Sequence, residues 1–222
     1  MNIFLKKTQI VFLITLLMLL GVASAFDVNK LQATLVAKYG SAALPNFLAW
    51  QSMMIAVKEK SADDKIKRVN EFFNRRISWG EDLAVWGQVD YWATPMDTLG
   101  KGAGDCEDFA IVKYYTLMML GIPVSKLRLV YVKAKNANAV TGGDQAHMVM
   151  AYYSTPDAEP MILDNLITEI RPASRRPDLQ PVFSFNSDGI YSGAGGQAGL
   201  SENAKLSKWQ DLLQRAQIEG FN

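Results

Sequence analysis

The chain contains one cysteine and one histidine, and these two residues could form a nucleophilic site. Cys106 lies in the run Gly-Ala-Gly-Asp-Cys-Glu-Asp-Phe-Ala at residues 102–110. Gly104 permits a tight turn and Asp105 is a good N-cap, so the run predicts Cys106 in the first turn of a helix. The free N–H groups there favour a thiolate and could stabilise an oxyanion. The alternative is a buried structural cysteine.

The sole histidine lies on a predicted strand that has an aspartate on the next strand. His147 falls in the β-rich run 146–153, and a short loop joins that run to a second one, 161–164. Such a hairpin sets residue 147 opposite residue 164, or one pair away from it, so that Asp164 can meet the imidazole. A carboxylate there fixes the tautomer of the ring, which predicts catalytic roles for Cys106, His147 and Asp164. The alternatives are a core histidine and an aspartate that serves only the turn.

Three acids crowd the cysteine: Asp105, Glu107 and Asp108. Carboxylates raise the pKa of a neighbouring thiol, so a thiolate at Cys106 calls for a countercharge. Ca²⁺ binds several carboxylate oxygens at once, which makes these three acids candidate metal ligands. The structural alternative is also open, because acids complement the dipole at a helix N-terminus and Asp105 with Asp108 resembles a capping box.

The elements that must position these residues form two blocks, helices first and strands after. Three amphipathic helices are predicted before residue 77, and a helix that is apolar almost all round is predicted over residues 105–120. Between them, residues 77–99 are rich in tryptophan and turn residues and are predicted as an ordered loop, whose Trp86 and Trp92 either line a cleft or pack in the core. The later elements are strands at 127–133, 146–153, 161–164 and 181–185, a glycine-rich loop at 187–200 and a helix at 201–220. This order predicts an α+β fold with an antiparallel sheet.

The first 25 residues have the make-up of a signal peptide. Lys6 and Lys7 precede an apolar run over residues 10–20, and Ala-Ser-Ala at residues 23–25 offers the small side chains that signal peptidase recognises. A retained membrane anchor is the alternative, although a spanning helix needs about 20 apolar residues. We therefore predict a signal peptide over residues 1–25 and a single domain over residues 26–222.

The charge of the chain argues against a nucleic-acid partner, and the predicted export bears on the role of the single cysteine. The chain has 23 basic and 22 acidic residues, and loss of Lys6 and Lys7 leaves 21 basic residues and a net charge of −1. No basic stretch has the density that nucleic-acid binding needs, so no nucleic-acid partner is expected. Exported proteins tend to pair their cysteines, so a lone thiol indicates a residue that is either buried or used.

Several of these segments resemble those of the bacterial transglutaminase-like cysteine proteinases. They are Asp-Tyr-Trp-Ala-Thr-Pro at 90–95, the cysteine run at 102–110, Lys-Tyr at 113–114, Ala-His-Met-Val at 146–149 and Leu-Asp-Asn at 163–165. The resemblance implies a papain-like, transglutaminase-like α+β fold with N-terminal helices, a buried central helix that carries the cysteine, and an antiparallel sheet. It also implies a triad of Cys106, His147 and Asp164. Finally, it implies Ca²⁺ dependence through Asp105 and Glu107, with Asp108 as a further candidate.

The resemblance also implies a biological role in the periplasm. Family members cleave the N-terminal region of a large repeat adhesin, which releases the adhesin and promotes biofilm dispersal. An inner-membrane receptor holds them inactive when cyclic-di-GMP is high. The expected reaction is acyl transfer to water through an acyl-enzyme on Cys106, with a second oxyanion donor expected from the Tyr91–Trp92 region. Two alternatives stay open: a transglutaminase or amidase acting on a cell-envelope amide, and a non-catalytic module that binds a membrane receptor.

Overall fold

The computed structural model of the protein describes residues 26–135, 143–192 and 200–221. Its N-terminal part consists of three helices: α1 (Val28–Tyr39), α2 (Leu44–Val57) and α3 (Ala62–Arg76). The segment predicted as a signal peptide, residues 1–25, lies outside the described residues, so its cleavage stays a prediction. Within the described ranges, no helix combines the length and the apolar content that crossing a bilayer demands.

Short elements connect α3 to the central helix. They are strand β1 (Ser78–Trp79), helix α4 (Asp82–Trp86), helix α5 (Pro95–Lys101) and strand β2 (Ala103–Gly104), and the two strands pair in parallel. The prediction of a loop over residues 77–99 is therefore wrong for two short helices. Helix α5 has a local cause, because Thr94 and Asp97 form a capping box around its first turn. Helix α4 ends at Gly87, whose φ of +68° suits a left-handed C-cap.

Helix α6 (Cys106–Met119) is the buried centre of the fold. The predicted capping box between Asp105 and Asp108 is present at its start. Its apolar residues belong to the main core cluster, where they pack against the sheet and against α3. A buried hydrogen bond from Trp50 Nε1 to Thr116 Oγ1, 2.9 Å long, ties α2 to α6 as well. Helices thus cover α6 on one side and the sheet covers it on the other.

The sheet has six strands in the order β6-β5-β4-β3-β7-β8, and each neighbouring pair is antiparallel. The strands are β3 (Leu127–Lys135), β4 (Asp144–Tyr152), β5 (Met161–Leu163), β6 (Arg171–Pro172), β7 (Leu179–Asn186) and β8 (Gly189–Ser192). Along β4, Met148 and Met150 join the main core while Val149 and Ala151 join a smaller cluster on the other face. The predicted α+β class with an antiparallel sheet is confirmed. Strand β8 corrects the first part of the predicted loop over residues 187–200, and residues 193–199 lie outside the described residues.

The C-terminal helix α7 (Leu200–Glu219) contacts the loop that precedes α5. Arg215 Nη2 donates to the carbonyl of Trp92 at 2.7 Å, and Lys208 Nζ lies 2.9 Å from Asp90 Oδ2. Trp92 is 2% exposed and stacks on Phe185 with ring centroids 5.7 Å apart. Trp92 is therefore a core residue, and α7 fixes the loop that contains it.

Gly104 lies where the backbone before α6 comes closest to Asp108. A Cβ at this position would lie 2.6 Å from the Cβ of Asp108 and 2.5 Å from its Oδ2. We expect Gly104→Ala to lower the free energy of unfolding by about 1–3 kcal/mol, because Asp108 must move and the capping box is lost. Urea unfolding measures this change. Gly189→Ala is the control, since a Cβ at Gly189 meets nothing within 4 Å, and an equal loss in both variants would contradict the explanation.

Candidate active site

Cys106 is the first residue of α6, and its sulfur lies between an acid and the sheet. Its Sγ donates a hydrogen bond to Glu107 Oε2 at 2.6 Å, and the backbone of Met148 on β4 bonds the same sulfur. Burial raises the pKa of the thiol, and the charges of Glu107 and Asp105 raise it further, whereas the bond from Met148 lowers it. The helix N-terminus predicted to favour a thiolate therefore does not offset the surrounding acids, which oppose ionisation of the thiol.

His147 and Asp164 are bonded to each other across the β4–β5 hairpin. His147 Nε2 lies 2.8 Å from Asp164 Oδ1, and both residues are buried. The register that pairs Met150 with Leu163, continued by one residue, sets Asp164 opposite Val149, one same-face position from His147. The sequence predicts residue 147 opposite residue 164 or one pair away. The predicted contact therefore forms, but His147 lies two residues along β4 from the position opposite Asp164. Because Nε2 faces Asp164, Nδ1 is the ring nitrogen left to act on a thiol.

The carboxylate of Asp164 has further partners behind the histidine. Arg176 Nη2 donates to Oδ2 at 2.7 Å, and the backbone N–H of Leu166 donates to Oδ1 at 3.0 Å. Burial raises the pKa of Asp164, but the hydrogen bond and charge of His147, the Leu166 amide and Arg176 outweigh it and hold that pKa at about 2. Asp164 is therefore ionised at neutral pH. Sequence reasoning missed Arg176, which carries no motif signal.

Cys106 and His147 line one cavity of about 510 Å³. Asp105 and Glu107 lie in its wall with them, whereas Asp108 and Asp164 are buried behind that wall. Among the described residues, eight large apolar side chains are exposed, and four of these line the cavity: Trp79, Leu83, Val89 and Leu166. The structure thus brings an imidazole, a thiol, carboxylates and an apolar rim to one opening.

The acids form two overlapping groups, and one member was not predicted. Ligand atoms of Asp105, Cys106 and Glu107 lie within 4.8 Å of one another, and so do those of Asp82, Asp105 and Asp108. Asp82 is the addition, because it lies on α4, in a segment that was predicted to be a loop. Its Oδ1 is buried without a hydrogen-bond partner, and such an orphaned oxygen fits a cation ligand.

Proton affinities in these groups reflect mutual repulsion. Burial first, and then the charges of Glu107 and Asp108, raise the pKa of Asp105 to about 9. Burial likewise raises the pKa of Asp82 to about 6, and Glu107 adds to the effect. A divalent cation would stabilise the ionised form of these carboxylates and offset their mutual repulsion. Their raised pKa values therefore agree with the predicted Ca²⁺ site.

Hydrogen bonds within the protein already occupy two groups with predicted roles, the Asp108 carboxylate and the Tyr91 amide. Asp108 Oδ1 accepts from the Ala93 amide at 2.8 Å and Oδ2 accepts from Trp86 Nε1 at 3.1 Å, so this carboxylate ties the preceding loop to α6. Its role as a metal ligand stays a prediction. The backbone N–H of Tyr91 donates to Asp82 Oδ2 at 2.6 Å, so that amide does not serve as the second oxyanion donor.

Comparison with known proteins gives concordant matches. The model of the bacterial transglutaminase-like cysteine proteinase (BTLCP) family matches residues 49–177. A structure of LapG from Legionella pneumophila is 37% identical with a TM-score of 0.71, and the match covers 87% of this chain and 99% of that one. The calcium-bound form of that LapG is 39% identical with a TM-score of 0.69, over 85% and 98% of the two chains. The EGTA-treated form is 37% identical with a TM-score of 0.72, over 87% and 100%. Among curated protein sequences, none matches the chain.

The low pKa of Asp164 makes a pH dependence of stability testable with Asp164→Asn. A carboxyl whose pKa is lower in the folded state stabilises that state above its unfolded pKa of about 3.9, and this contribution is lost as the pH falls towards about 2. The difference in free energy of unfolding between the wild type and Asp164→Asn should therefore shrink by about 2 kcal/mol over that range. Chemical denaturation at a series of pH values measures it. A difference that stays constant with pH would contradict an ionised, buried Asp164.

Proposed function

The chain belongs to the bacterial transglutaminase-like cysteine proteinase family, and on this premise we propose that it is a calcium-dependent cysteine endopeptidase of the periplasm. The proposed substrate is the N-terminal region of a large repeat adhesin, whose cleavage releases the adhesin and promotes biofilm dispersal. One observation carries the catalytic part of the proposal. It is the hydrogen bond between His147 and Asp164 at the cavity into which Cys106 also opens.

The proposed reaction uses the two ring nitrogens of His147 for different tasks. Nδ1 takes the proton of Cys106, while Nε2 stays bonded to Asp164 and the ionised carboxylate stabilises the imidazolium. The thiolate attacks the peptide carbonyl, His147 gives its proton to the leaving amine, and water then hydrolyses the acyl-enzyme. The backbone N–H of Cys106, at the start of α6, is the proposed oxyanion donor.

The residues of the cavity wall suit Ca²⁺, which we propose is held by Asp105 and Glu107 with Asp82 as an added ligand. Support comes from the orphaned Oδ1 of Asp82 and from the calcium-bound form of the L. pneumophila LapG. The predicted ligand Asp108 is committed to the loop by its two hydrogen bonds. When bound, the ion supplies positive charge that offsets the carboxylates around Cys106.

The apolar side chains that line the cavity support a polypeptide substrate over a small amide. Its opening is lined by exposed apolar side chains, among which Trp79 is 57% exposed and Leu166 is 62% exposed. Apolar side chains at the edge of a site can contact substrate residues on either side of the reacting bond. The proposed regulator, an inner-membrane receptor for cyclic-di-GMP, rests on family membership, and so does the periplasmic location.

Purified protein incubated with an adhesin N-terminal fragment tests the proposal. We expect two discrete fragments from the wild type and a loss of activity of more than about 10³-fold in Cys106→Ala, since the nucleophile is removed. Gel electrophoresis with mass spectrometry detects the products, and circular dichroism verifies the fold of the variant. Slower-migrating crosslinked species would support the transglutaminase alternative. Cleavage by Cys106→Ala would overturn the assignment of the nucleophile, and an intact substrate with the wild type would favour the binding module.

Chelation tests the metal separately. EGTA should abolish cleavage, and Ca²⁺ rather than Mg²⁺ should restore it, because Mg²⁺ demands a stricter octahedral geometry. In calorimetric titrations, Glu107→Gln and Asp82→Asn should bind Ca²⁺ at least about tenfold more weakly than the wild type. Glu81→Gln is the matched control, because Glu81 lines the same cavity outside the two acid groups. Full activity in EGTA would contradict the calcium proposal.

A further inference from the structure

We propose that Arg176 is a positioning residue that fixes the Asp164 carboxylate and, through it, the orientation and tautomer of the His147 ring. The inference rests on the proposed function and adds to it a residue that no sequence motif marks. Arg176 contacts neither the cavity nor the thiol. It is therefore expected to act through Asp164 alone.

The geometry shows a carboxylate held from two sides. Asp164 Oδ1 faces His147 Nε2 at 2.8 Å, and Oδ2 accepts from Arg176 Nη2 at 2.7 Å. The side chains of His147, Asp164 and Arg176 are 4%, 0% and 2% exposed, so water screens neither bond. Asp164 directly follows β5, so the strand fixes the position of its backbone. The two partners then fix the orientation of its carboxylate. A planar guanidinium that binds one oxygen fixes the plane in which the other oxygen meets the imidazole.

Arg176 is itself fixed by Asp178. Its Nε lies 3.0 Å from Asp178 Oδ1, and its Nη2 lies 2.7 Å from Asp178 Oδ2. The backbone carbonyl of Asp178 in turn accepts from the amide of Lys135, the last residue of β3. Charge-assisted bonds thus run from Asp178 through Arg176 and Asp164 to the ring, and a backbone hydrogen bond ties Asp178 to the end of β3. Each link restricts the rotamer of the next one.

Positive charge alone does not account for this arrangement. Lys113 on α6 is 1% exposed and lies in the field of Asp164. Burial lowers the pKa of this amine to about 7, although the charge of Asp164 raises it, so Lys113 offers the carboxylate a partial countercharge. A buried ion pair also gains little net stability, because desolvation of both groups opposes their attraction. Arg176 also fixes the orientation of the Asp164 carboxylate, because its planar guanidinium binds Asp164 and Asp178 at the same time.

The tautomer of His147 gives a direct test that needs no substrate. The chain has one histidine, so its imidazole gives one set of long-range ¹H–¹⁵N signals. We expect the neutral ring of the wild type to be the Nε2–H tautomer, whose proton is donated to Asp164, and Arg176→Met to show a mixture of tautomers. The matched control is Arg171→Met, which removes an arginine from an exposed pair with Glu169 in the same segment. A pure Nε2–H tautomer in Arg176→Met would overturn the proposal.

Kinetics provide the second readout. In Arg176→Met the kcat for the adhesin fragment should fall about tenfold to a hundredfold while KM stays within about twofold, because a misplaced ring affects the reaction and not substrate binding. Arg176→Lys should recover part of the loss, and Arg171→Met should match the wild type. An equal kcat in both methionine variants would overturn the proposal. If the wild type cleaves nothing, the proposed function fails while the tautomer still decides the role of Arg176.

A milder variant covers the case in which Arg176→Met does not fold. Asp178→Asn leaves Arg176 in place and removes one of its anchors, on a side chain that is 36% exposed. We expect a smaller shift of the His147 signals towards mixed tautomers and a kcat reduced less than in Arg176→Met. Signals identical to those of the wild type in both Asp178→Asn and Arg176→Lys would overturn the proposal.

Discussion

A half-buried thiol in contact with carboxylates is the electrostatic constraint on which the candidate site depends. Cys106 donates to Glu107 and lies within ligand distance of Asp105, and both acids oppose its ionisation. The N-terminus of α6 favours an anion at the same place, yet the same N-terminus is what attracts acidic residues to the first turn. A nucleophile at this position therefore needs a compensating cation or a base. The acids of the cavity wall could bind such a cation, and His147 is the candidate base.

The contrast between Asp105 and Asp164 shows how neighbours decide the behaviour of one residue type. Asp164 is buried and Asp105 is partly buried, and burial alone would raise the pKa of each. Asp105 has acids beside it, and its pKa rises to about 9, whereas Asp164 has His147 and Arg176, and its pKa falls to about 2. The fold thus provides an internal counterion, Arg176, on the histidine side of the cavity, and the proposed Ca²⁺ would balance the acids on the cysteine side.

Sequence patterns predicted the parts of the site that depend on local structure. The N-terminal position of Cys106 followed from its capping residues, and the meeting of His147 with Asp164 followed from a short hairpin. Asp82 and Arg176 escaped prediction because neither belongs to a repeating pattern, and only tertiary packing brings them to the other acids and to Asp164. The short helices α4 and α5 were missed for a related reason. Helices of five and seven residues are too short to show a period, and capping signals alone mark them.

Helix α7 is made late in synthesis, yet it contacts the loop beside the cavity. Cys106, His147 and Asp164 leave the ribosome well before Arg215, which bonds the carbonyl of Trp92 and secures the loop beside the cavity. The matched family region ends at residue 177, so this last contact comes from outside it. A nascent chain that has made all three of those side chains still lacks the bonds that complete one wall of its cavity. One wall of the cavity, near residues 89–92, thus depends on contacts from residues more than 100 positions further along the chain.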